Sequence, residues 1–327
     1  MQEQVFRDYL ATHGLDPADI LAQVEALAGV EARLGQIAPP WPLEELNRGM
    51  TRDLVEELID RGENTLENLL ALVRYAKAID NQDSFITVLE MLDGCEVMDN
   101  LHAKLGDAVG EDLRDVIFED LPLPPLGLSR REKSNYTYRI LTRMEEIFGS
   151  STTRDLLKDS LRDLPDAYYE DDKRVFTEEC EGDIDRYLIY RKEKLLDELR
   201  DIKARGDLYF TQTITDEVID FVAADPEIGG GVREGNLIFL TKIPYDTRAY
   251  LAETDPDKQR YHTCHCPWAK ESLRKGTLTI DPVFCQCSAG FVKRPFEVVY
   301  GRRLQADVLE SVLQGDPVCR FAIHLPD

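Results

Sequence analysis

The sequence has no long apolar run, and its first residues do not resemble a secretion signal. No uncharged apolar stretch approaches the ~18 residues that a membrane-spanning helix needs. The opening segment MQEQVFRDYL has neither a basic start nor an apolar core, the two marks of a signal peptide. We therefore expect a cytoplasmic protein that does not have a membrane as a partner.

Positive charge is scarce, because 39 Lys and Arg residues stand against 63 Asp and Glu residues, for a net charge of −24. Such a balance repels nucleic acid and argues against it as a partner. Residues 1–205 hold 45 of the acidic and 26 of the basic residues. The sign reverses in 257–303, which has nine basic and four acidic residues. This segment can attract a small anion or lower the pKa of a thiol.

Cysteine is also scarce and odd in number, since the chain has seven. In a reducing compartment this argues against a disulfide framework and favours metal, catalytic or sensor roles. Cys95 and Cys180 stand alone and are expected to be structural. The other five lie in YHTCHCPW (261–268), FCQCSAGF (284–291) and QGDPVCRF (314–321). Because thiolates are soft metal ligands and good nucleophiles, this clustering predicts a functional site.

Residues 1–205 are predicted to form an all-helical domain, because their apolar residues recur at helical spacing. Asp16 and Pro17 are a typical cap and first residue of a helix, and PPWP (39–42) predicts a break. The segment 180–206 predicts a long, charged helix. Its apolar stripe consists of Ile184, Leu188, Leu195 and Leu199.

Residues 206–327 are predicted to form a second domain of mixed structure. NLIFLTKIPY (236–245) is the first convincing strand, and a helix is expected to begin at Asp281. The segments on either side of Gly315 and Asp316 predict a β-hairpin. The predicted fold class is therefore α+β: a helical N-terminal region followed by a small antiparallel sheet packed against helices.

Spacing limits which thiols can share one metal ion. Positions i and i+2 of a helix point about 200° apart, so Cys285 and Cys287 diverge if 282–300 is helical. Pro267 favours an extended backbone before it, which we expect over 261–266.

A bend in that segment can bring Cys264 and Cys266 onto a single ion. Adding Cys285 from the helix and Cys319 from the last strand gives four thiolates, the ligand set of a closed tetrahedral zinc site. The order of these cysteines along the chain does not distinguish this zinc site from the alternative functions described below.

The segment 284–326 resembles the closing part of the vinyl-4-reductase type small-molecule-binding domain, and of the related aminothiazoline-carboxylate hydrolase-like proteins. That pattern has a cysteine shortly before a Gly-aromatic pair, then a helix, a strand and a hairpin with a glycine, and a cysteine in the final strand. The matching residues here are Cys285, Gly290, Phe291, Gly315 and Cys319.

The resemblance implies a domain that binds small, often apolar molecules, in some members with zinc held by cysteines beside the pocket. This chain departs from the pattern at Ser311, where related domains have a further cysteine. It also has Val308 where a glutamate ligand is expected, although Glu310 is close. A zinc site here would therefore draw replacement ligands from Cys264, Cys266 or Cys287.

Three functions follow as hypotheses, and the first is the one that we adopt. It is a small-molecule-binding protein with a zinc site made by Cys264, Cys266, Cys285 and Cys319. Its pocket would lie between the 282–300 helix and the sheet, lined by Phe284, Phe291 and Trp268. The ligand is a small molecule, for which the basic segment favours an anion, and a homodimer is compatible with these features.

The second hypothesis is a cysteine-dependent hydrolase for a small anionic substrate. Cys287 is the candidate nucleophile, with His262 or His265 as the base. The third is a redox switch or a carrier of an iron–sulfur cluster. The number of thiols allows such a cluster, but their spacing does not match the cluster motifs of ferredoxins.

Overall fold

The computed structural model describes residues 1–37, 41–162 and 164–326. By its contacts, the chain divides into two compact units. The first is Met1–Cys95 with Leu123–Lys133, and the second is Glu96–Pro122 with Ser134–Asp327. The predicted boundary at 205/206 lies within the second unit. None of the helices in the described ranges is both long and apolar enough to cross a membrane.

The first unit is helical. Its helices are α1 (Glu3–Thr12), α2 (Pro17–Leu34), α3 (Arg48–Asp60), α4 (Leu66–Ala78) and α5 (Gln82–Leu92). The predicted start of α2 is confirmed, because the Asp16 carboxylate accepts hydrogen bonds from the backbone N–H groups of Ala18 and Asp19, both at 2.9 Å.

The segment LEELNRGMTRDLVEELIDRG (43–62) does not form one continuous helix. A 3-10 turn at Leu43–Glu45 is separated from α3. The cause is Asn47, whose extended backbone and capping side chain start a new helix. Of the predicted PPWP break, Pro39 and Pro40 lie outside the described residues.

The helical part of the second unit precedes the sheet. It contains α6 (Val97–Val109), α7 (Glu111–Phe118), most of α8 (Arg130–Leu157), α9 (Glu170–Arg174) and α10 (Ile184–Arg205). The predicted long charged helix is confirmed as α10, and the stripe residues Ile184, Leu188 and Leu199 are buried. Gly149, with φ +72°, interrupts the helical geometry of α8.

The mixed part that follows confirms the α+β class. Its helices are α11 (Asp216–Ala224), α12 (Thr247–Ala252), α13 (Pro256–Thr263) and α14 (Gln286–Tyr300). Its strands are β1 (Leu208–Tyr209), β2 (Gln212–Thr213), β3 (Val232–Glu234), β4 (Leu237–Thr241), β5 (Gln305–Glu310) and β6 (Arg320–His324). β1 and β2 form a small separate pair.

The main sheet has the strand order β3-β4-β6-β5, and all its pairings are antiparallel. The predicted strand in 236–245 is confirmed as β4. The predicted hairpin is confirmed as β5 and β6, with an irregularity between Val308 and Glu310. β3 was not predicted, because it is short and directly follows three glycines. Helix α14 packs on β5 and β6, which places its first turn beside the start of β6.

An ion pair ties β6 to the turn before β3. The Arg320 guanidinium donates to the two carboxylate oxygens of Glu227 at 2.8 and 2.6 Å, and Thr241 Oγ1 donates to the same carboxylate at 2.7 Å. The hydrogen bond from Arg320 is the main reason why the pKa of Glu227 is lowered.

We expect Glu227→Gln to lower the free energy of unfolding at pH 7 by about 1 kcal/mol. Because the folded-state pKa of Glu227 is depressed, its contribution is present above the unfolded value of about 4.3 and is lost as pH falls. The difference in free energy of unfolding between the parent and the variant, measured by urea unfolding, should therefore be larger at pH 7 than at about pH 3.5. Asp83→Asn, which breaks an exposed ion pair with Arg48, is the control and should change little. A gap that widens toward acid pH would contradict the assignment.

Candidate functional site

The five clustered cysteines come from four neighbouring segments of the second unit. Cys264 directly follows α13, and Cys266 precedes Pro267. Cys285 ends the 3-10 turn Pro282–Cys285, which Asp281 caps by accepting from the Val283 N–H at 2.7 Å. The remaining two are Cys287, in the first turn of α14, and Cys319, directly before β6.

The expected extended conformation over 261–266 is wrong for its first half. Pro256 and the capping Asp255 start α13, which continues through Thr263 and so includes Tyr261 and His262. The backbone becomes extended only at Cys264, with φ −67° and ψ 124°. The helix end supplies the bend that the prediction required before the two thiols.

The four thiols predicted as zinc ligands lie close enough to affect one another. Burial raises the pKa of Cys285 well above its ordinary value, and the neighbouring thiols of Cys319, Cys264 and Cys266 raise it further. Burial also raises the pKa of Cys266, with Cys264 next in effect. It raises the pKa of Cys319 to about 11, again with Cys264 as the next contribution. Cys264 and Cys319 belong to one core cluster against which Cys266 packs, so the structure brings these three together.

Cys285 and Cys287 have different partners, as their spacing on a helix predicts. Cys285 Sγ lies 2.9 Å from Ser311 Oγ. Cys287 Sγ accepts a hydrogen bond from the Leu161 N–H at 3.3 Å, although burial still raises its pKa. Cys287 therefore lies to one side of the group formed by the other four.

Lys242, which is not one of the predicted site residues, lies close to the thiols. Lys242 Nζ donates to Ser288 Oγ at 2.6 Å and lies 5.4 Å from the centre of the Phe291 ring. Burial lowers the pKa of Lys242, and nearby thiols oppose this shift, Cys319 most strongly. The sequence feature that could have pointed to Lys242 is its position directly after the apolar strand LIFLT.

The site lies deep in the second unit, and several of its residues keep part of their surface exposed. Lys242, His265, Cys266, Cys285 and Cys287 each keep part of their surface exposed. Burial is nevertheless the largest cause of the pKa shift at every one of them. Partial exposure with strong desolvation is what a narrow recess into the protein produces. Two open surface clefts of about 460 and 400 Å³ lie elsewhere, and no cysteine lines either of them.

Both histidines that were predicted as bases favour the neutral form of the imidazole. His265 Nε2 lies 2.6 Å from the carbonyl oxygen of Ile243, which can only accept, so Nε2 carries the proton and Nδ1 keeps a free lone pair. Burial, with a further contribution from Lys242, lowers the pKa of His265 to about 3. Burial also lowers the pKa of His262.

The three predicted lining residues have different environments. Phe284 and Trp268 are buried in one core cluster, where Trp268 makes an edge-to-face contact with Tyr136 at 6.1 Å. Phe291 is partly exposed and lies beneath the Lys242 ammonium. Of the three, Phe291 is therefore the one that the structure places beside the thiol group.

The thiols lie in one region of the fold, but their side chains are not arranged around an ion. In the part of the chain that the structure describes, no three His, Cys, Asp or Glu side chains are placed to hold a metal. Zinc–sulfur bonds of about 2.3 Å would require rotation of the cysteine side chains. The ligand roles of the four cysteines, and the iron–sulfur alternative, thus stay predictions.

A comparison with protein families finds a match that covers the cysteine-rich region. Residues 250–327 match a family of unknown function, DUF6144. The matched range includes all five clustered cysteines. No curated protein and no solved structure matches the chain.

Proposed function

We propose that the mixed part of the chain binds a small molecule at a thiol-lined recess that also holds a soft metal ion, with zinc as the first candidate. Cys264, Cys266, Cys285 and Cys319 are the proposed ligands. The observation that carries the proposal is that Cys264 and Cys319, distant in sequence, share one core cluster against which Cys266 packs. The backbone N–H of Lys242 donates to the Cys319 carbonyl oxygen at 3.0 Å, and the pKa of Cys285 is raised by its burial and by all three thiols.

The chemistry of the site favours a metal over a free nucleophile. A thiol whose pKa is raised by burial stays protonated near pH 7 and is a poor nucleophile. A divalent ion displaces those protons and compensates the resulting thiolate charge, so binding is accompanied by proton release. Thiolates select soft or borderline ions such as zinc rather than magnesium or calcium.

We expect the full chain, purified without added metal, to contain about one zinc ion per chain. Cys285→Ser and Cys319→Ser should each reduce zinc content at least about tenfold, because each removes one of four ligands. Elemental analysis after exhaustive dialysis measures the content. Circular dichroism shows whether each variant is folded.

Cys180→Ser is the matched control, because Cys180 is also buried but lies in a different core cluster. It should retain the metal content of the parent. A parent protein that folds without metal, and that binds none when zinc is supplied, would end the proposal. Full occupancy in both Cys285→Ser and Cys319→Ser would remove these residues from the ligand set.

The cysteine hydrolase stays the second candidate. A pKa of about 3 makes His265 a weak base, and burial raises the pKa of Cys287, so both groups are less suited to this function than to metal binding. Cys287, partly exposed in the same recess, is the proposed nucleophile. A single cysteine that reacts first under limiting alkylation, in protein without metal, would favour this function; a brown colour on anaerobic purification would favour the iron–sulfur cluster.

A further inference from the structure

Lys104, on α6, has a buried ammonium whose N–H donors are unused. Its Nζ atom is buried and makes no hydrogen bond to any described residue, although 24% of the side chain is exposed. Among the described residues the nearest carboxylate oxygen, Asp159 Oδ2, lies 3.9 Å away, beyond hydrogen-bond distance. An ammonium has three donors, and leaving them unpaired away from water is strongly disfavoured. Lys104 therefore needs an acceptor that the described chain does not supply.

Two further cations engage the carboxylate that Lys104 approaches. Lys293 Nζ lies 3.1 Å from Asp159 Oδ1, and Arg303 Nη1 lies 3.2 Å from Asp159 Oδ2. Burial alone would raise the pKa of Asp159, yet this pKa is lowered, because the three cations around it outweigh burial. Asp159 is thus already shared between two other cations and compensates Lys104 only weakly.

This cluster adjoins an open surface cleft of about 400 Å³. Arg303 lines the cleft, as does Glu297, the second carboxylate that Lys293 contacts. The other charged residues of the cleft are Asp166, Glu170, Lys173, Arg294 and Arg302. Together with Lys104, Lys293 and Asp159, the cluster and cleft have six cations and four carboxylates, an excess of two positive charges. Such an excess is unusual in a chain of net charge −24, and it favours an anionic ligand.

A phosphate group fits the chemistry of this place. It has a charge of about −1.5 to −2 near pH 7 and several acceptor oxygens, which match the excess charge and the unused donors of Lys104. The Arg303 side chain is 86% exposed, so its ion pair with Asp159 is weak and a phosphate can compete for the guanidinium. Guanidinium groups donate two parallel hydrogen bonds to phosphate, which adds specificity.

We propose that Lys104 and Arg303 bind the phosphate group of a small molecule that enters from this cleft, while Lys293 compensates the charge of Asp159 beside them. The inference is independent of the proposed metal site and concerns a different part of the second unit. The chemistry recognised is the phosphate group itself, as a free ion or as an ester.

Calorimetric titration of the full chain with inorganic phosphate, at constant ionic strength, tests the site. The parent should bind with a dissociation constant of about 1 mM or lower. Lys104→Met should weaken binding at least about tenfold, and Arg303→Gln at least about fivefold, because each removes donors and a charge. Glycerol 3-phosphate in the same titration separates a phosphate ester from the free ion, and a preference for either supports the site.

A second readout distinguishes a ligand-binding lysine from a structural one. Without phosphate, Lys104→Met should melt at the same temperature as the parent or higher, because an apolar side chain replaces a buried ammonium that has no acceptor. A lysine that holds the fold together would instead lower the melting temperature when it is replaced. Affinity and stability should therefore change in opposite directions, or affinity alone should change.

Lys158→Met is the matched control, because Lys158 is next to Asp159 in sequence but is 54% exposed and pairs with Asp155 at 2.5 Å. It removes the same charge and should bind phosphate within about threefold of the parent. A parent that binds no phosphate at about 20 mM, or equal affinity in Lys104→Met and the parent, would overturn the site. Equal weakening by Lys158→Met would show a general charge effect, and acetate binding as tight as that of phosphate would overturn the ligand class. If Lys104→Met does not fold, Arg303→Gln decides under the same criteria.

Discussion

Gly290→Ala is expected to lower the free energy of unfolding by about 3 kcal/mol, because α14 has no room for a methyl group at this position. A Cβ atom there would lie 2.3 Å from the Ser160 N and 2.5 Å from the Asp159 C. Both are backbone atoms, so a side-chain rotation cannot relieve the overlap, and α14 must move away from 158–160. Chemical denaturation of the parent and the variant measures the loss.

Gly29→Ala is the control for the effect of alanine itself. Gly29 also lies inside a helix, but a Cβ atom there would contact nothing within 4 Å. Its replacement should stabilise the protein by up to about 1 kcal/mol through helix propensity. Stability of Gly290→Ala equal to that of the parent would show that α14 is not packed this closely.

Lys293→Met is expected to lower the free energy of unfolding by about 3 kcal/mol, because it takes the buried cation from the buried Glu297 carboxylate and leaves only Arg294, at 3.4 Å, beside it. The side chains of Lys293 and Glu297 are only 7% and 8% exposed. Lys293 Nζ also donates to the Leu304 carbonyl oxygen at 3.0 Å. Denaturant unfolding at neutral pH measures the loss.

A double-mutant cycle separates the charge effect from the loss of packing. Adding Glu297→Gln to Lys293→Met removes the carboxylate charge and should recover at least about 1 kcal/mol. Lys203→Met, which breaks an exposed pair with Asp216, should change stability by less than about 0.5 kcal/mol. Strict additivity of the two buried substitutions would contradict a direct interaction between Lys293 and Glu297.

Much of the fold could be predicted because its signals are local. Asp16 and Asp281 cap the helices that their sequence positions predict, and the apolar stripe of α10 is buried. β3 was missed because it is short and follows three glycines, so its pairing with β4 outweighs its weak local preference. The end of α13 was missed because Pro267 influences only the residue before it.

The site could be predicted in part. The clustering of thiols along the chain indicated a site, and the helical spacing separated Cys285 from Cys287. The position of Lys242 could not be predicted, because a lysine after a strand is exposed in most proteins. Its proximity to Cys319 follows from the pairing of β4 with β6, in which Thr241 lies opposite Arg320. Such a pairing joins segments that are far apart in sequence.

The position of β6 has a consequence for the order in which this protein is made. β6 emerges after β4 and β5 during synthesis, yet it lies between them and is hydrogen-bonded to both. A nascent chain that stops before Arg320 has two strands with unpaired edges, which are open to wrong partners. The thiols of Cys264 and Cys285 are then translated well before Cys319 can join them, so a reducing environment during synthesis protects them from premature oxidation.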